Sequence, residues 1–134
     1  MSCNFPLRVV NFASEMLVNY HRNIQFGLLY LNNGLFEKEE LLTPNWVRQS
    51  ATPIKAPNFD HYGYQFWLNL GNDRNIKNKF YPHATDDMYF ADGFQGQNLF
   101  IMPSKKLLIL RMGMTASGDY QADHSIGLVL ESIH

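Results

Sequence analysis

The fold is decided by one stretch, whose sequence is Met88-Tyr-Phe-Ala-Asp-Gly-Phe-Gln-Gly-Gln-Asn-Leu-Phe-Ile-Met102. Two apolar runs flank a polar centre that contains Gly93 and Gly96. Glycine inside a strand often marks a bulge or a close approach by a ligand or another backbone. We therefore predict two strands here, and residues 91–97 are the leading candidate for a functional surface.

Two further strands are predicted on either side of this stretch. Residues 107–113 follow a tight turn in which Pro103 pre-sets the backbone angle φ of the first turn position. Residues 62–69 alternate with a period of two, which is typical of a strand. The side chains predicted to share one face of that strand are Tyr62, Tyr64, Phe66 and Leu68.

Two helices are predicted before these strands. Apolar residues at helical spacing predict a helix from about Ser14 to Leu31, with Ser14 as N-cap and residues 32–34 as a left-handed stop. A second helix has Thr43 as N-cap and a proline at its first position, and it ends near Ser50.

A last helix is predicted after a loop at residues 115–120. Asp123 is its expected N-cap, and its apolar stripe consists of Ile126, Val129, Leu130 and Ile133. Helices and strands occur in runs along the sequence and do not strictly alternate. This order predicts an α+β fold in which an antiparallel β-sheet is flanked by helices.

Bulk properties narrow the possible functions. The chain has 134 residues, enough for one domain, and its net charge of −1 is spread evenly, so we expect no nucleic-acid partner. No apolar run approaches the roughly 18 residues of a membrane span, and no signal peptide is recognisable, which predicts a cytoplasmic location by default. The single cysteine, Cys3, cannot form an internal disulfide, and we expect it to be inert.

Four motifs occur in an order that is familiar from one enzyme family: Phe26-Gly-Leu-Leu-Tyr-Leu-Asn-Asn-Gly34, Leu41-Leu-Thr-Pro-Asn-Trp-Val47, Tyr62-Gly-Tyr-Gln-Phe-Trp67 and Gly93-Phe-Gln-Gly-Gln97, the last followed by Pro103. Together they resemble the C-terminal half of the serine β-lactamase-like hydrolases. The most similar branch holds class C β-lactamase relatives, esterases and 6-aminohexanoate-dimer hydrolases. The resemblance covers residues 25–134, and it leaves residues 1–24 as a divergent N-terminal segment.

The resemblance implies a partial β-lactamase/transpeptidase-like fold and an acyl-enzyme mechanism on small-molecule esters or amides, without a cofactor. The family's third motif, on a strand that walls the site, maps onto residues 91–93, where Ala91 replaces the usual cation and puts recognition of a β-lactam carboxylate in doubt. The backbone N–H of Phe94 would then be one oxyanion donor. The wall residues implied are Asp92, Gly93, Phe94, Gly96 and Gln97.

The catalytic half of such a site is missing from the sequence. No serine is followed by lysine three residues later, and there is no Gly-x-Ser-x-Gly elbow. We therefore expect a C-terminal fragment from a truncated or frameshifted reading frame. It should be inactive alone, and its exposed sheet would associate with itself or with a missing N-terminal half. The alternative is a non-catalytic binding or interaction module derived from that fold.

Other groupings of chemically active residues have simpler interpretations. Tyr30-Leu-Asn32 matches a Tyr-x-Asn motif, but we expect Tyr30 in the core. The aromatic residues of positions 62–67 could form a stacking platform, although such alternation is more typical of a core. Adjacent Asp86 and Asp87 are expected to be solvated in a loop. No metal site is expected from the acidic and histidine residues, which we interpret as surface or cap residues: His61, His83, Asp86, Asp87, Asp92, His124 and His134.

Overall fold

A computed structural model describes residues 8–13, 17–56, 61–71, 76–113, 115 and 119–133. These residues form three helices and two sheets, which confirms the predicted α+β class. The helices are α1 (Leu17–Leu31), α2 (Pro44–Ser50) and α3 (Ala122–Ser132). The strands are β1 (Arg8–Ala13), β2 (Leu35–Phe36), β3 (Glu39–Glu40), β4 (Trp67–Leu68), β5 (Tyr89–Asp92), β6 (Asn98–Met102) and β7 (Leu107–Met112).

The main sheet has five strands in the order β1-β7-β6-β5-β4. Strands β4 to β7 pair antiparallel, as the sequence predicts, with Phe90 opposite Phe100 and Phe100 opposite Ile109. Strand β1 is an addition that the sequence did not predict. It pairs parallel to β7, from Arg8 beside Leu107 to Ala13 beside Met112.

Both faces of the sheet are covered, because side chains alternate along each strand. On the face that we call the α1 side, Leu99, Leu108 and Leu110 pack against α1 and α2. On the other face, the α3 side, Phe100, Ile109 and Ile126 form a second core with α3. Strands β5, β6 and β7 therefore expose no apolar face, and the expectation of an exposed sheet is wrong for them.

The ends of α1 and α2 have the predicted chemistry. The Gly34 N–H donates to the Leu29 carbonyl (2.8 Å) and the Asn33 N–H to the Tyr30 carbonyl (3.1 Å), with Asn33 left-handed at φ 54°, which is a Schellman stop. The Thr43 hydroxyl accepts a hydrogen bond from the Trp46 N–H (3.2 Å), which confirms Thr43 as the N-cap of α2. The predicted cap Ser14 lies outside the described residues.

Three glycines, from two of the resembling motifs, have packing roles in this structure. A Cβ atom on Gly27 would lie 2.5 Å from Leu108 Cδ1, so α1 approaches β7 closely only because this position is bare. A Cβ on Gly34, whose φ is 91°, would overlap the Leu42 carbonyl oxygen, and one on Gly63 would overlap the Ser50 carbonyl oxygen. These glycines bring elements together, and they lie outside the candidate site.

Two predictions about elements are wrong. The strand predicted for residues 62–69 is reduced to Trp67–Leu68, because the backbone bends at residues 64–66 with Gln65 at φ 69°, and Tyr62 pairs with Trp67 across the bend. Asp123 lies in the first turn of α3 instead of capping it; the N-cap is Gln121, and its side chain makes no capping bond.

The division between residues 24 and 25 that the resemblance suggests stays a prediction, and in the structure it falls within a helix. Residues 24 and 25 both lie inside α1, and β1 is hydrogen-bonded into the same sheet as the strands of the C-terminal part. The side chain of Arg8 also donates to the Ile133 carbonyl at the end of α3. Residues 8–13 therefore share one sheet with the strands of the C-terminal part, and residues 17–24 share α1 with the residues that follow them.

Candidate functional site

The predicted site residues lie at the hairpin that joins β5 to β6. Asp92 ends β5, and a short 3-10 turn at Phe94–Gly96 follows Gly93. The Gly93 N–H donates to the Gln97 carbonyl (2.7 Å), which closes the hairpin around this turn. Phe94 is the first residue of the turn, so its backbone N–H has no acceptor inside the turn.

Two consecutive residues of the turn are left-handed. Gln95 has φ 55° and Gly96 has φ 77°. The positive φ of Gly96 favours glycine at this position, and a Cβ there would also force Arg111 Nη1, 2.7 Å away, to shift. The presence of glycine at position 96 is therefore explained by the backbone conformation of the turn.

A cavity of about 210 Å³ lies between this hairpin and α1. It is lined mainly by apolar side chains of the α1 side, including Phe26 and Leu110, with Asn23 contributed by α1. Of the predicted wall residues, the structure brings Asp92, Gly93 and Gln97 to this cavity. Phe94 and Gly96 are not among its lining residues, and the Phe94 side chain is 76% exposed. We call this space the α1-side cavity.

Arg111 is the residue that sequence reasoning missed. Its Nη1 donates to the Gly96 carbonyl (2.5 Å), its Nη2 donates to the Thr115 hydroxyl, and its guanidinium carbon lies 3.9 Å from the ring centre of Tyr120. It thereby ties the left-handed turn to β7 and to the chain that follows β7. No motif signals this role, because a single arginine in a strand has no pattern.

Asp92 differs in orientation from its neighbour Ala91. Side chains of a strand alternate, so Asp92 shares the α3 side with Phe90, whereas Ala91 packs on the α1 side. Its Oδ1 accepts a hydrogen bond from Asn98 Nδ2 (2.8 Å), on the residue directly opposite in β6. Asp92 thus lies at the edge of the α1-side cavity and also faces the opposite side of the sheet.

The charge of Asp92 acts on a nearby phenol. Burial, followed by the negative charge of Asp92, raises the pKa of Tyr81 to about 12. Burial also raises the pKa of Tyr120, although a hydrogen bond with Ser125 and the charge of Arg111 oppose that effect. Both phenols therefore stay neutral at physiological pH, and neither has the lowered pKa that a general base would need.

Asp86, Asp87, Asp123 and His83 have structural partners. The Asp87 carboxylate accepts hydrogen bonds from the Ser104 N–H (2.7 Å) and hydroxyl (2.8 Å), and Asp86 pairs with Lys79 (2.9 Å). Asp123 accepts from the His83 N–H (2.9 Å), and its Oδ2 lies 2.5 Å from His83 Nδ1. Among the described residues, no three side chains of His, Cys, Asp or Glu are grouped as a metal site would need. Cys3 and His134 lie outside the described residues.

The aromatic residues of positions 62–67 do not form one platform. Phe66 is buried and contacts Tyr30 and Tyr89 in the α1-side core, while Tyr64 is 51% exposed and lies 5.8 Å from Trp46. Tyr30 is buried, which confirms it as a core residue, and its hydroxyl accepts from Trp46 Nε1 (3.4 Å).

Comparisons with known proteins do not extend the assignment. No protein-family model matches the chain, and no curated protein matches it. Among the described residues, no helix is both long and apolar enough to cross a lipid bilayer.

Proposed function

We propose that this chain forms the sheet-side wall of a β-lactamase-like serine hydrolase site that acts on small ester or amide substrates through an acyl-enzyme. The nucleophile and its base come from a segment other than residues 1–134, since the sequence holds no Ser-x-x-Lys. The isolated chain is therefore without hydrolytic activity.

One observation carries this proposal: two motifs that are remote in sequence line the same cavity. Phe26, which opens the first resembling motif, and Gly93 and Gln97, from the last, all contribute to the α1-side cavity. A volume of about 210 Å³ is below the roughly 300–1,000 Å³ of most ligand pockets, which is consistent with a site that needs another segment to complete it.

The first test uses the purified chain and a fluorophosphonate probe for active-site serines. We expect no labelling above that of a heat-denatured sample. Stoichiometric labelling of any serine would overturn the proposal, because a nucleophile would then be present in the chain itself.

The second test concerns the missing segment. We expect the DNA upstream of the coding sequence to encode a Ser-x-x-Lys and a Tyr-x-Asn motif. When that segment is joined to this chain, the probe should label its serine. Gly96→Ala, which strains the turn because φ is 77°, should reduce the labelling rate, whereas Gly113→Ala, where a Cβ meets only ordinary van der Waals contacts, serves as the matched control. An upstream region without these motifs contradicts the proposal.

A non-catalytic interaction module is the second candidate, and a patch of aromatic side chains favours it. Phe26, Trp46 and Tyr64 are each between 43% and 51% exposed. Exposed apolar patches often mark interaction sites. If the chain is such a module, Trp46→Ala and Tyr64→Ala should abolish self-association that light scattering detects, and a serine probe should label no upstream partner.

A further inference from the structure

A second cavity lies away from α1 and is lined almost entirely by aromatic rings. Its volume is about 300 Å³, and its lining residues are Trp67, Phe80, Tyr81, Phe90 and Asp92. We call it the aromatic pocket. It lies on the face of β5 opposite the α1-side cavity, because Phe90 and Asp92 alternate with Ala91 along the strand. Its volume falls within the range of roughly 300–1,000 Å³ that is usual for ligand pockets.

The rings of the pocket are held in place by ring contacts. Tyr81 meets Phe90 edge to face, with ring centres 5.0 Å apart and planes at 87°. The His61 ring stacks on Trp67 (5.2 Å, 13°) and meets the edge of Phe80 (5.3 Å), so it fixes the two outer rings relative to each other. Phe90 is buried and Phe80 is 46% exposed, so the pocket has a packed floor and an open rim.

Of the described residues, Asp92 is the one that brings a charged side chain to the lining of the pocket. Asn98 occupies its Oδ1, and no lysine, arginine or histidine among the described residues forms an ion pair with it. The nearby Arg111 is directed instead at the carbonyl groups of the turn and at the Tyr120 ring. Asp92, which is itself exposed, therefore brings a carboxylate to the pocket, and neither of the ion pairs seen among the described residues includes it.

This chemistry selects a particular kind of ligand. Aromatic faces attract cations through their quadrupole, most strongly where the cation is desolvated, and quaternary ammonium groups are bound in this way. A hard metal ion would need several oxygen ligands, whereas the pocket offers one carboxylate. An anion would be repelled by Asp92, and a neutral polar ligand would find few hydrogen-bonding groups.

The geometry points to a binding site for an organic ammonium cation, with its methyl or methylene groups against Trp67 and Phe80 and its charge balanced by Asp92. The site is separate from the proposed hydrolase wall, which faces the α1 side, although Asp92 borders both. Its existence does not depend on a nucleophile, so the isolated chain is expected to bind the cation.

Binding is tested by titrating the isotope-labelled full chain with choline, and the readout is the NMR shift of the Trp67 indole N–H. The control ligand is 3,3-dimethyl-1-butanol, which has the shape of choline but no charge. We expect saturable binding of choline and at least about tenfold weaker binding of the alcohol, which corresponds to about 1.4 kcal/mol. Equal affinity would overturn the proposal in favour of a merely apolar pocket, and the absence of saturable choline binding would overturn it altogether.

Variants locate the site. Asp92→Asn keeps the oxygen that Asn98 contacts and should weaken choline binding about tenfold, as should Phe80→Ala. Asp119→Asn and Leu128→Ala are the matched controls, because both residues are exposed and neither lines the pocket. If one of the two test variants fails to fold, the choline affinity of the other still tests the proposal. Unchanged choline binding in the folded test variants would place the cation elsewhere and contradict the proposal.

The outcome can be separated from that of the proposed function. Choline binding is measured on the isolated chain, and serine labelling is measured after the upstream segment has been joined. The absence of choline binding would therefore not contradict the proposed function, and the absence of serine labelling would not contradict the cation site.

Discussion

Tyr89 carries a hydroxyl group that is buried in the α1-side core, and no hydrogen-bond partner for it is found among the described residues. Its ring is well placed, with edge contacts to Phe66 (5.1 Å) and Tyr30 (6.5 Å). A buried polar group without a partner loses its hydration and gains no bond in return, which typically costs about 1–3 kcal/mol. At the scale of the residue, the ring stabilises the core while the hydroxyl opposes it.

Tyr89→Phe should therefore raise the free energy of unfolding by about 1 kcal/mol, as measured by urea denaturation. Tyr30→Phe is the matched control, since the Tyr30 hydroxyl accepts a bond from Trp46 and its removal should give no gain. A loss of stability in Tyr89→Phe would mean that the hydroxyl is satisfied.

Gly34 has a different requirement, which concerns the backbone. Gly34→Ala should lower the free energy of unfolding by about 2 kcal/mol, because φ 91° is costly for alanine and the new Cβ would overlap the Leu42 carbonyl oxygen. Gly113→Ala, where the nearest atoms lie 3.5 Å or farther, is the control and should change stability little. Equal effects of the two substitutions would contradict this explanation.

At the scale of the element, sequence patterns predicted the parts that are determined locally. The α1 stop, the Thr43 cap and the β5-β6-β7 hairpins each follow from a few neighbouring residues. Strand β1 was not predicted because its partner β7 is remote in sequence, and no local sequence pattern indicates the pairing. The alternation of side chains at residues 62–69 was a misleading signal for a strand, since Gln65 lies within it and has a left-handed backbone conformation.

The candidate site was predictable to a similar extent. The glycine pattern located the hairpin, and Asp92, Gly93 and Gln97 do line a cavity. Arg111 and the aromatic pocket were not foreseen, because they are assembled by contacts between distant segments.

The parallel pairing of β1 can be tested with proline. The Arg8 N–H donates to the Lys106 carbonyl (3.1 Å), and alternate residues of a strand point their N–H groups the same way, so the Val10 N–H also faces β7. Val10→Pro should lower the free energy of unfolding by about 1 kcal/mol more than Asn11→Pro, whose N–H faces outward. Hydrogen exchange of β7 amides provides the measurement, and equal protection in both variants would argue against the parallel register.

At the scale of the whole molecule, the buried phenols link stability to alkaline pH. Burial, more than the charge of Asp92, raises the pKa of Tyr81 to about 12, and burial also raises the pKa values of Tyr89 and Tyr120. In the unfolded chain the pKa of each of these phenols is about 10. Above that pH the unfolded state has lost protons that the folded state still holds, so each further rise in pH favours unfolding.

The urea midpoint should therefore change little between about pH 8 and 9 and fall steadily between about pH 10 and 12. Tyr81→Phe should make that fall shallower, because one of the contributing phenols is removed. A midpoint that did not change over this range would show that the phenols titrate alike in both states.

The contact between Arg8 and the Ile133 carbonyl brings two remote parts of the sequence to one corner of the sheet. A short linker could therefore join the end of α3 to the start of β1, with new chain ends placed at the exposed tip between Glu37 and Lys38. In such a circular permutant the pairing of β1 with β7 would span far less chain, and its loop-closure entropy would be smaller. We expect the permutant to reach the same structure with a lower contact order, and hence faster, which stopped-flow refolding can measure.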